Sequence, residues 1–573
     1  MNNIIFNKNI SLLKKNKYNF RAVKKLMHYS SDNKYKLKQT KNNMFAVLYN
    51  DKPLTSIYNP IEEAKRLIQQ FIKDNNEHIG IFLSIASFFH IEYFLSLNEN
   101  NKAVIIEKDI EIVKLIFENF NTDKENIFEK IIIILDEDIK TILDFFNFYM
   151  NDNDAKKIIY IRHIRASNIN DKSSRYYDEI NIYLANSIRE KLMSLTSNYY
   201  FAPIWARNIL YNMHFNIGYS IKTFHNILKK EIPVLLVSAG ASADKYIEKI
   251  KELSKTHFII VLSHAFNTLI KNNIKPNAVV TTDGGFYSSI HLKELIKKEN
   301  NDINIFTSHT AYPFPLTHIE NERIFYFSHD ESFENILYPI DDNDNDNNND
   351  SNNNNILFYM EGSVIMPALR IAYMLNPKYI LLAGCDFCHL DDKTHSKYSN
   401  ASFYDFINSN KLKTFESAKY KRLNDIQKIK CYDNIYRNTS SSLLSYKNHF
   451  EDIIQEISNM TDIFNLTKES AEIKNVKQYD NNIIFENIED FNINKLVKKN
   501  IKEYINKEQL IEKINNFLYD INNTENINDS IKKLAYIISP WHIERLEKSA
   551  ISYEEFKSYI NKWYDDIKPL LSK

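Results

Sequence analysis

The stretch from Pro233 to Asp283 constrains the fold most, because it repeats one local pattern of apolar run, turn and amphipathic segment. In PVLLVSAGASAD (Pro233 to Asp244), the apolar run Val234 to Val237 ends in the small residues Ser238, Ala239 and Gly240. Ser242 and Asp244 then stand ready to cap a helix that begins near Lys245. Two further apolar runs, Phe258 to Leu262 and Ala278 to Thr282, follow at crossover spacing with amphipathic segments between them. Strands joined in this way lie parallel, with their carboxyl ends along one edge. Open α/β sheets bind their ligands at that edge.

A chain of 573 residues exceeds one domain, and its patterning divides it into three. Residues 1–205 read as a smaller Rossmann-like α/β domain without a glycine loop. Residues 206–455 read as the central, mostly parallel Rossmann-like domain, and 456–573 as a helical domain whose aromatic residues recur at helical spacing. Within the first, IGIFLSIASFFHIEYFL and AVIIEKD succeed one another as strand, turn, helix and strand, with Glu107 at the position of a ribose-binding acid. Ser84 and Ala86 occupy the turn where glycines are needed, which favours a domain without cofactor. The run DDNDNDNNNDSNNNN (Asp341 to Asn355) is low in complexity and reads as a disordered surface insertion.

Lysine plus arginine and aspartate plus glutamate balance at 73 each, which argues against a nucleic-acid-coating protein. Three cysteines, Cys385, Cys388 and Cys431, cannot build a disulfide framework, and the single Cys385-Asp-Phe-Cys388 pair has no second pair to complete a zinc site. A cytoplasmic protein with structural thiols and no metal is expected. No run is long enough to span a membrane. The oligomeric state has no signature in the sequence.

Glycine is scarce, with seven in the chain, and five of them (Gly240, Gly284, Gly285, Gly362 and Gly384) fall near expected strand ends. Where glycine is rare, a side chain is excluded for a reason, either backbone conformation or close approach. Gly362 and Ser363, in EGSV at a strand-to-helix junction, can offer N–H groups and a hydroxyl to an anion at the positive end of the helix Val364 to Leu375. After the central strand Lys378 to Gly384 come Asp386, His389, Asp391, Asp392 and His395, the densest group of titratable residues on any expected loop.

Taken together, SAGASAD, IKPNAVVTTDGG, EGSVIMPALRIAYMLNPKYILLAGCDF and DDKTH resemble the motility accessory factor (Maf) family of flagellin glycosyltransferases. The central domain of that family is similar to bacterial sialyltransferases that use CMP-sugars. NPIEEAKRLI, CYDNIYRNTSSSLLSYKNHFEDII and FNLTKESAEIKN extend the resemblance over most of residues 30 to 480. The chain departs from the family's pattern at Ala241 and Ala243, where proline and leucine are usual, and at Glu469-Ser470-Ala471, where Gly-Gly-Ala is usual.

The resemblance implies transfer of a nonulosonic acid, of pseudaminic or legionaminic type, from a CMP-sugar donor to serine or threonine of flagellin, in support of flagellar assembly and motility. No cofactor is required. It implies that Gly240, Ser242, Gly362 and Ser363 hold the nucleotide and phosphate, and that Asp283, beside Gly284, meets a ribose or sugar hydroxyl. His395 is the expected catalytic base, because an imidazole titrates near neutrality, with Asp386 orienting it. His264 is the second choice. Two alternatives are a 6-hydroxymethylpterin pyrophosphokinase-like enzyme, whose fold is related, and a catalytically inactive flagellin-binding factor.

Overall fold

A computed structural model describes residues 2–30, 33–40, 44–120, 125–150, 154–216, 218–327, 358, 362–390, 393–399, 407–414, 417, 427–458, 460–479, 507–523, 535, 538–547 and 550–571. The Asn-rich segment 341–355, Asp391 and Asp392 lie outside them, as does most of the strand expected before Gly362. The chain divides into two compact units, Met1–Ser197 and Asn198–Lys573.

The first unit opens with helices and a small antiparallel sheet of β1 (Tyr35–Gln39), β2 (Phe45–Tyr49) and β3 (Lys52–Pro53). The turn at Asn50 and Asp51, both left-handed at φ 46° and 62°, joins β2 to β3. The helix Pro60–Gln69 starts where its signals place it. Asn59 accepts the Glu62 N–H at 3.1 Å, and proline occupies the first turn, where its missing donor costs nothing. Strands β4 (Ile79–Leu83), β5 (Lys102–Glu107), β6 (Ile131–Leu135) and β7 (Ile158–Arg162) then form a parallel sheet in the order β6-β5-β4-β7. Its inner strands are apolar from Ile79 to Leu83 and from Ala103 to Ile106 because helices cover both faces.

The turn after β4 carries φ values of 79° at Ser84, 45° at Ala86 and 71° at Phe88. It therefore keeps a glycine-type backbone at a cost of roughly 1–2 kcal/mol for each non-glycine residue. Ala86 and Phe88 are fully buried in the core, and the Phe88 ring meets that of Phe120 with centroids 4.7 Å apart. Glu107 is spent on the same turn: its carboxylate accepts the Ile85 N–H at 2.9 Å and the Tyr177 hydroxyl at 2.8 Å, and burial raises its pKa.

The second unit is built on a sheet of nine described strands, all parallel: β8 (Tyr219–Ser220), β9 (Val234–Val237), β10 (Phe258–Leu262), β11 (Ala278–Thr281), β12 (Asn304–Thr307), β13 (Ile324–Tyr326), β14 (Ile380–Ala383), β17 (Ile463–Asn465) and β18 (Lys477–Gln478). A separate hairpin pairs β15 (Gln427–Lys430) with β16 (Tyr436–Thr439). The sheet order is β18-β17-β14-β9-β10-β11-β12-β13-β8, so the chain builds outward from β9 in one direction and returns through β14 to build in the other. This is the doubly wound α/β architecture expected. Its topological switch lies between β9 and β14, and in sheets of this kind ligands bind outside the strand ends at that point.

Strand alternation sorts the core into two layers. Val234, Leu236, Ile260, Val280 and Leu382 pack on one face with the helices Ile365–Met374 and Ser441–Ile457. Leu235, Val237, Ile259, Val279 and Leu381 pack on the other with the helices Ile247–Leu253, Ser263–Lys271 and Ser288–Leu292. β17 and β18 lie beyond residue 455 yet pair into this sheet. Three and two residues are too few for a periodic signal, and the pairing of β17 with β14 and of β18 with β17 supplies what their own sequence lacks. The tail helices Lys507–Asn523, Pro540–Glu547 and Tyr553–Leu571 form a small core with Ala206, Ile209, Leu210 and Met213.

Those four residues belong to the helix Asp171–Phe215, whose other face carries a buried asparagine ladder. Asn208 Nδ2 donates to the Gly284 and Thr310 carbonyls at 2.9 Å each, and Asn212 Nδ2 donates to those of His309 and Ala311 at 2.8 Å each. Asn216 continues the series one turn on. The i, i+4, i+8 spacing stacks the three amides on one face, so they pin the loops after β11 and β12. Replacing Asn208 with alanine is expected to cost about 2 kcal/mol, because it leaves two buried carbonyls unpaired. Urea denaturation monitored by fluorescence measures it.

Candidate functional site

The ends of β14, β9, β10 and β11, adjacent in that order, supply the candidate residues. At the switch point the loops after β9 and β14 are stitched together. The Ser238 N–H donates to Ala383 O at 2.8 Å, and the Gly240 N–H to Gly384 O at 2.9 Å. No Cβ fits at Gly240, where it would strike Gly384 O and the Asp386 carboxyl, nor at Gly384, where φ is +69° and Ser238 O stands in the way. Asp386, 5% exposed, reaches across the junction. Its carboxylate accepts the Ser242 N–H at 2.9 Å and the Ser242 hydroxyl.

The two donors of Ser242 assigned to a phosphate are therefore engaged by an internal carboxylate. Asp386 serves the first loop, with its own carbonyl accepting the Ala471 N–H at 2.9 Å. Burial pushes the Asp386 pKa up to about 6. The Ser242 donors and the Arg437 charge oppose that rise, and Glu469 adds to it.

One element missed in the sequence completes this side. Asn465 at the end of β17 donates to Thr467 O at 2.6 Å, the Thr467 and Ser470 hydroxyls lie 2.6 Å apart, and Lys245 pairs with Glu469 at 3.2 Å. Polar side chains thus hold the segment where the resemblance leads one to expect two glycines.

Toward β10 and β11 the edge carries imidazoles, with His264 and His395 half-buried. His264 opens the helix after β10. His395 comes over it on a strap tied down at three places: Ser396 N to Ala239 O at 2.8 Å, the Ser396 hydroxyl to that of Thr268 at 2.8 Å, and Asn267 Nδ2 to Tyr398 O at 2.8 Å. The His264 and His395 rings stack with centroids 6.3 Å apart, and His395 Nδ1 meets the Thr394 hydroxyl at 2.8 Å. Asp283, after β11, folds its carboxylate onto the Gly285 N–H at 2.9 Å, and its charge raises the His264 pKa against the larger downward effect of burial. Both expected base candidates and Asp283 thus share one corner.

Gly284 has a packing role. It lies under Trp205, whose ring takes the space of a side chain, while Asn208 holds its carbonyl. Gly362 is exposed and left-handed at φ +72°, and Ser363 follows it at the start of the helix Ile365–Met374. Because that helix runs back to the start of β14, its first turn flanks the same carboxyl edge from the opposite face of the sheet.

Cys388 and Cys431 are buried thiols with sulfurs 3.8 Å apart, and Cys385 is also buried. Among the described residues no group of three or more His, Cys, Asp or Glu has the arrangement of a metal site. No described helix is long and apolar enough to cross a membrane. A cleft of about 1100 Å³ lies elsewhere, in the first unit, where Lys108 among its lining residues pairs with Asp136 at 2.5 Å.

The architecture has a solved counterpart. A Maf glycosyltransferase from Magnetospirillum magneticum AMB-1 superposes with a TM-score of 0.57 at 11% identity, over 100% of this chain and 91% of that one. The chain shares the Maf glycosyltransferase fold. A second family, described as 6-hydroxymethylpterin diphosphokinase MptE-like, matches residues 207–392, the part that runs from the asparagine ladder through the loop after β14. No curated protein sequence matches the chain.

Proposed function

We propose that the chain is a Maf-type glycosyltransferase that moves a nonulosonic acid from its CMP-activated form to a serine or threonine hydroxyl of flagellin. The observation that carries this reading is the corner formed by His264, His395 and Asp283. It supplies an unprotonated imidazole and a carboxylate at the carboxyl edge of the sheet, on a fold shared with a Maf glycosyltransferase. The acceptor hydroxyl gives its proton to an imidazole as its oxygen bonds the anomeric carbon. The bond from that carbon to the phosphate oxygen breaks, and CMP leaves with the electron pair. Gly362, Ser363 and the first turn of their helix stabilise the leaving phosphate, while Asp283 binds a ribose or sugar hydroxyl. Gly240 and Ser242 support the edge from beneath.

The match to the MptE-like family favours a second reading, diphosphate transfer to a pterin alcohol. Thermal unfolding with a CMP-nonulosonate, with CTP, and with ATP plus magnesium separates the two. Stabilisation by the cytidine ligands supports glycosyl transfer, and stabilisation by ATP with magnesium alone overturns it. With flagellin co-expressed, His395→Ala is expected to lower the glycan mass added by about a hundredfold in rate while the cytidine-dependent shift persists. Unchanged transfer removes His395 from the mechanism and leaves His264 as the base.

A further inference from the structure

Three imidazoles meet at this edge from three separate stretches of chain, and His264 is the middle one. Its ring centroid lies 3.9 Å from that of His291, with planes 38° apart, and 6.3 Å from that of His395, with planes 27° apart. His291 is the most enclosed of the three, 3% exposed, and its Nδ1 is buried with no hydrogen-bond partner. It sits on the inward face of its helix between Ser288 and Leu292, both buried, with Leu292 packed in the core layer against the sheet. A ring placed there with an unused nitrogen offers its flat face, and that face lies against His264. The charged and titratable groups that face His264 are Asp283 at the end of β11, His291 behind it and His395 above it. Burial, together with the two neighbouring imidazoles, pushes His291 down to about 3, so it stays neutral while His264 titrates.

We propose that His291 is a positioning residue for His264: its buried ring fixes the plane of the His264 imidazole and closes one side of it to water. The effect on sugar transfer rests on the glycosyltransferase reading, whereas the effect on the His264 ring does not. The test reads both. The His264 ring signal, assigned with His264→Gln, is followed by NMR across pH in the full-length protein and in His291→Phe and His291→Ala.

The phenylalanine variant keeps a flat apolar wall, and its His264 midpoint is expected to match the wild type. In the alanine variant water reaches the ring, and the midpoint is expected to rise by about half a unit to one unit toward the ordinary histidine value. If the protein transfers sugar with His264 rather than His395 as its base, the acid limb of its rate profile moves to higher pH by the same amount in His291→Ala alone. An unmoved midpoint in His291→Ala, or an equal shift in both variants, overturns the proposal. Loss of transfer with the midpoints as expected leaves it standing and counts against the functional reading instead. Should His291→Ala fail to fold, His291→Gln, which keeps the bulk without the flat ring, is held to the same outcomes.

Discussion

Gly384→Ala is expected to destabilise the second unit by about 2–5 kcal/mol, the sum of two separate costs. The residue sits at φ +69°, a region that costs an L-residue roughly 1–2 kcal/mol. The added methyl also meets Ser238 O, with the Ala243 Cβ at 3.1 Å behind it. Relieving that overlap means separating the loops after β9 and β14, and forced shifts in a packed interior cost roughly 1–3 kcal/mol. Those loops exchange the Ser238 to Ala383 and Gly240 to Gly384 hydrogen bonds, so the damage falls on the switch point itself. Gly285→Ala is the control. A methyl there meets only the Asp283 carboxylate, at 3.3 Å, and about 1 kcal/mol or less is expected. Urea denaturation of both variants decides the matter, and a Gly384→Ala protein as stable as Gly285→Ala refutes the steric account.

The scarcity of glycine made this junction visible in the sequence, and the strands that meet there were equally legible. β9, β10, β11 and β14 are buried on both faces, so they read as unbroken apolar runs that need no partner to be recognised. What Asp386 and Ser242 do was not legible. Each type suits a ligand loop, and 144 residues separate them, so nothing local indicates that one satisfies the other. The asparagine ladder was hidden for another reason: in a chain this rich in asparagine, three at helical spacing carry no weight until their carbonyl partners are seen. His291 lay in a stretch with no motif of its own, and only the fold brings it against His264. The histidine corner was half legible: His264 and His395 stood out as loop imidazoles, but their stacking depends on the strap that Ser396 and Tyr398 tie down.

Asp386 should also make the protein gain stability on mild acidification, the reverse of the usual behaviour of a carboxylate. Its folded pKa is raised to about 6 by burial, above the value of about 3.9 expected in the unfolded chain. Between these two values the unfolded state has released its proton while the folded state still holds one. The folded state therefore binds more protons there, and stability falls as pH rises through the window from about 4 to about 6. Above the window both states are ionised and the loss is complete; below it both are neutral and the loss is absent.

A separation of about two units corresponds to about 3 kcal/mol. Other carboxylates titrate over the same range, so the quantity to measure is the difference between wild type and Asp386→Asn, whose side chain does not ionise. Relative to that variant, the wild type is expected to gain about 3 kcal/mol as the pH is lowered from 7 to 4. The two Ser242 donors set the limit: they hold the carboxylate ionised more strongly than burial alone allows, so Ser242→Ala, which removes the hydroxyl, should push the Asp386 midpoint higher still. A wild-type minus Asp386→Asn difference that stays flat from pH 7 to 4 means that Asp386 is solvated rather than buried, and the loops at the switch point are then held together by their backbone bonds alone.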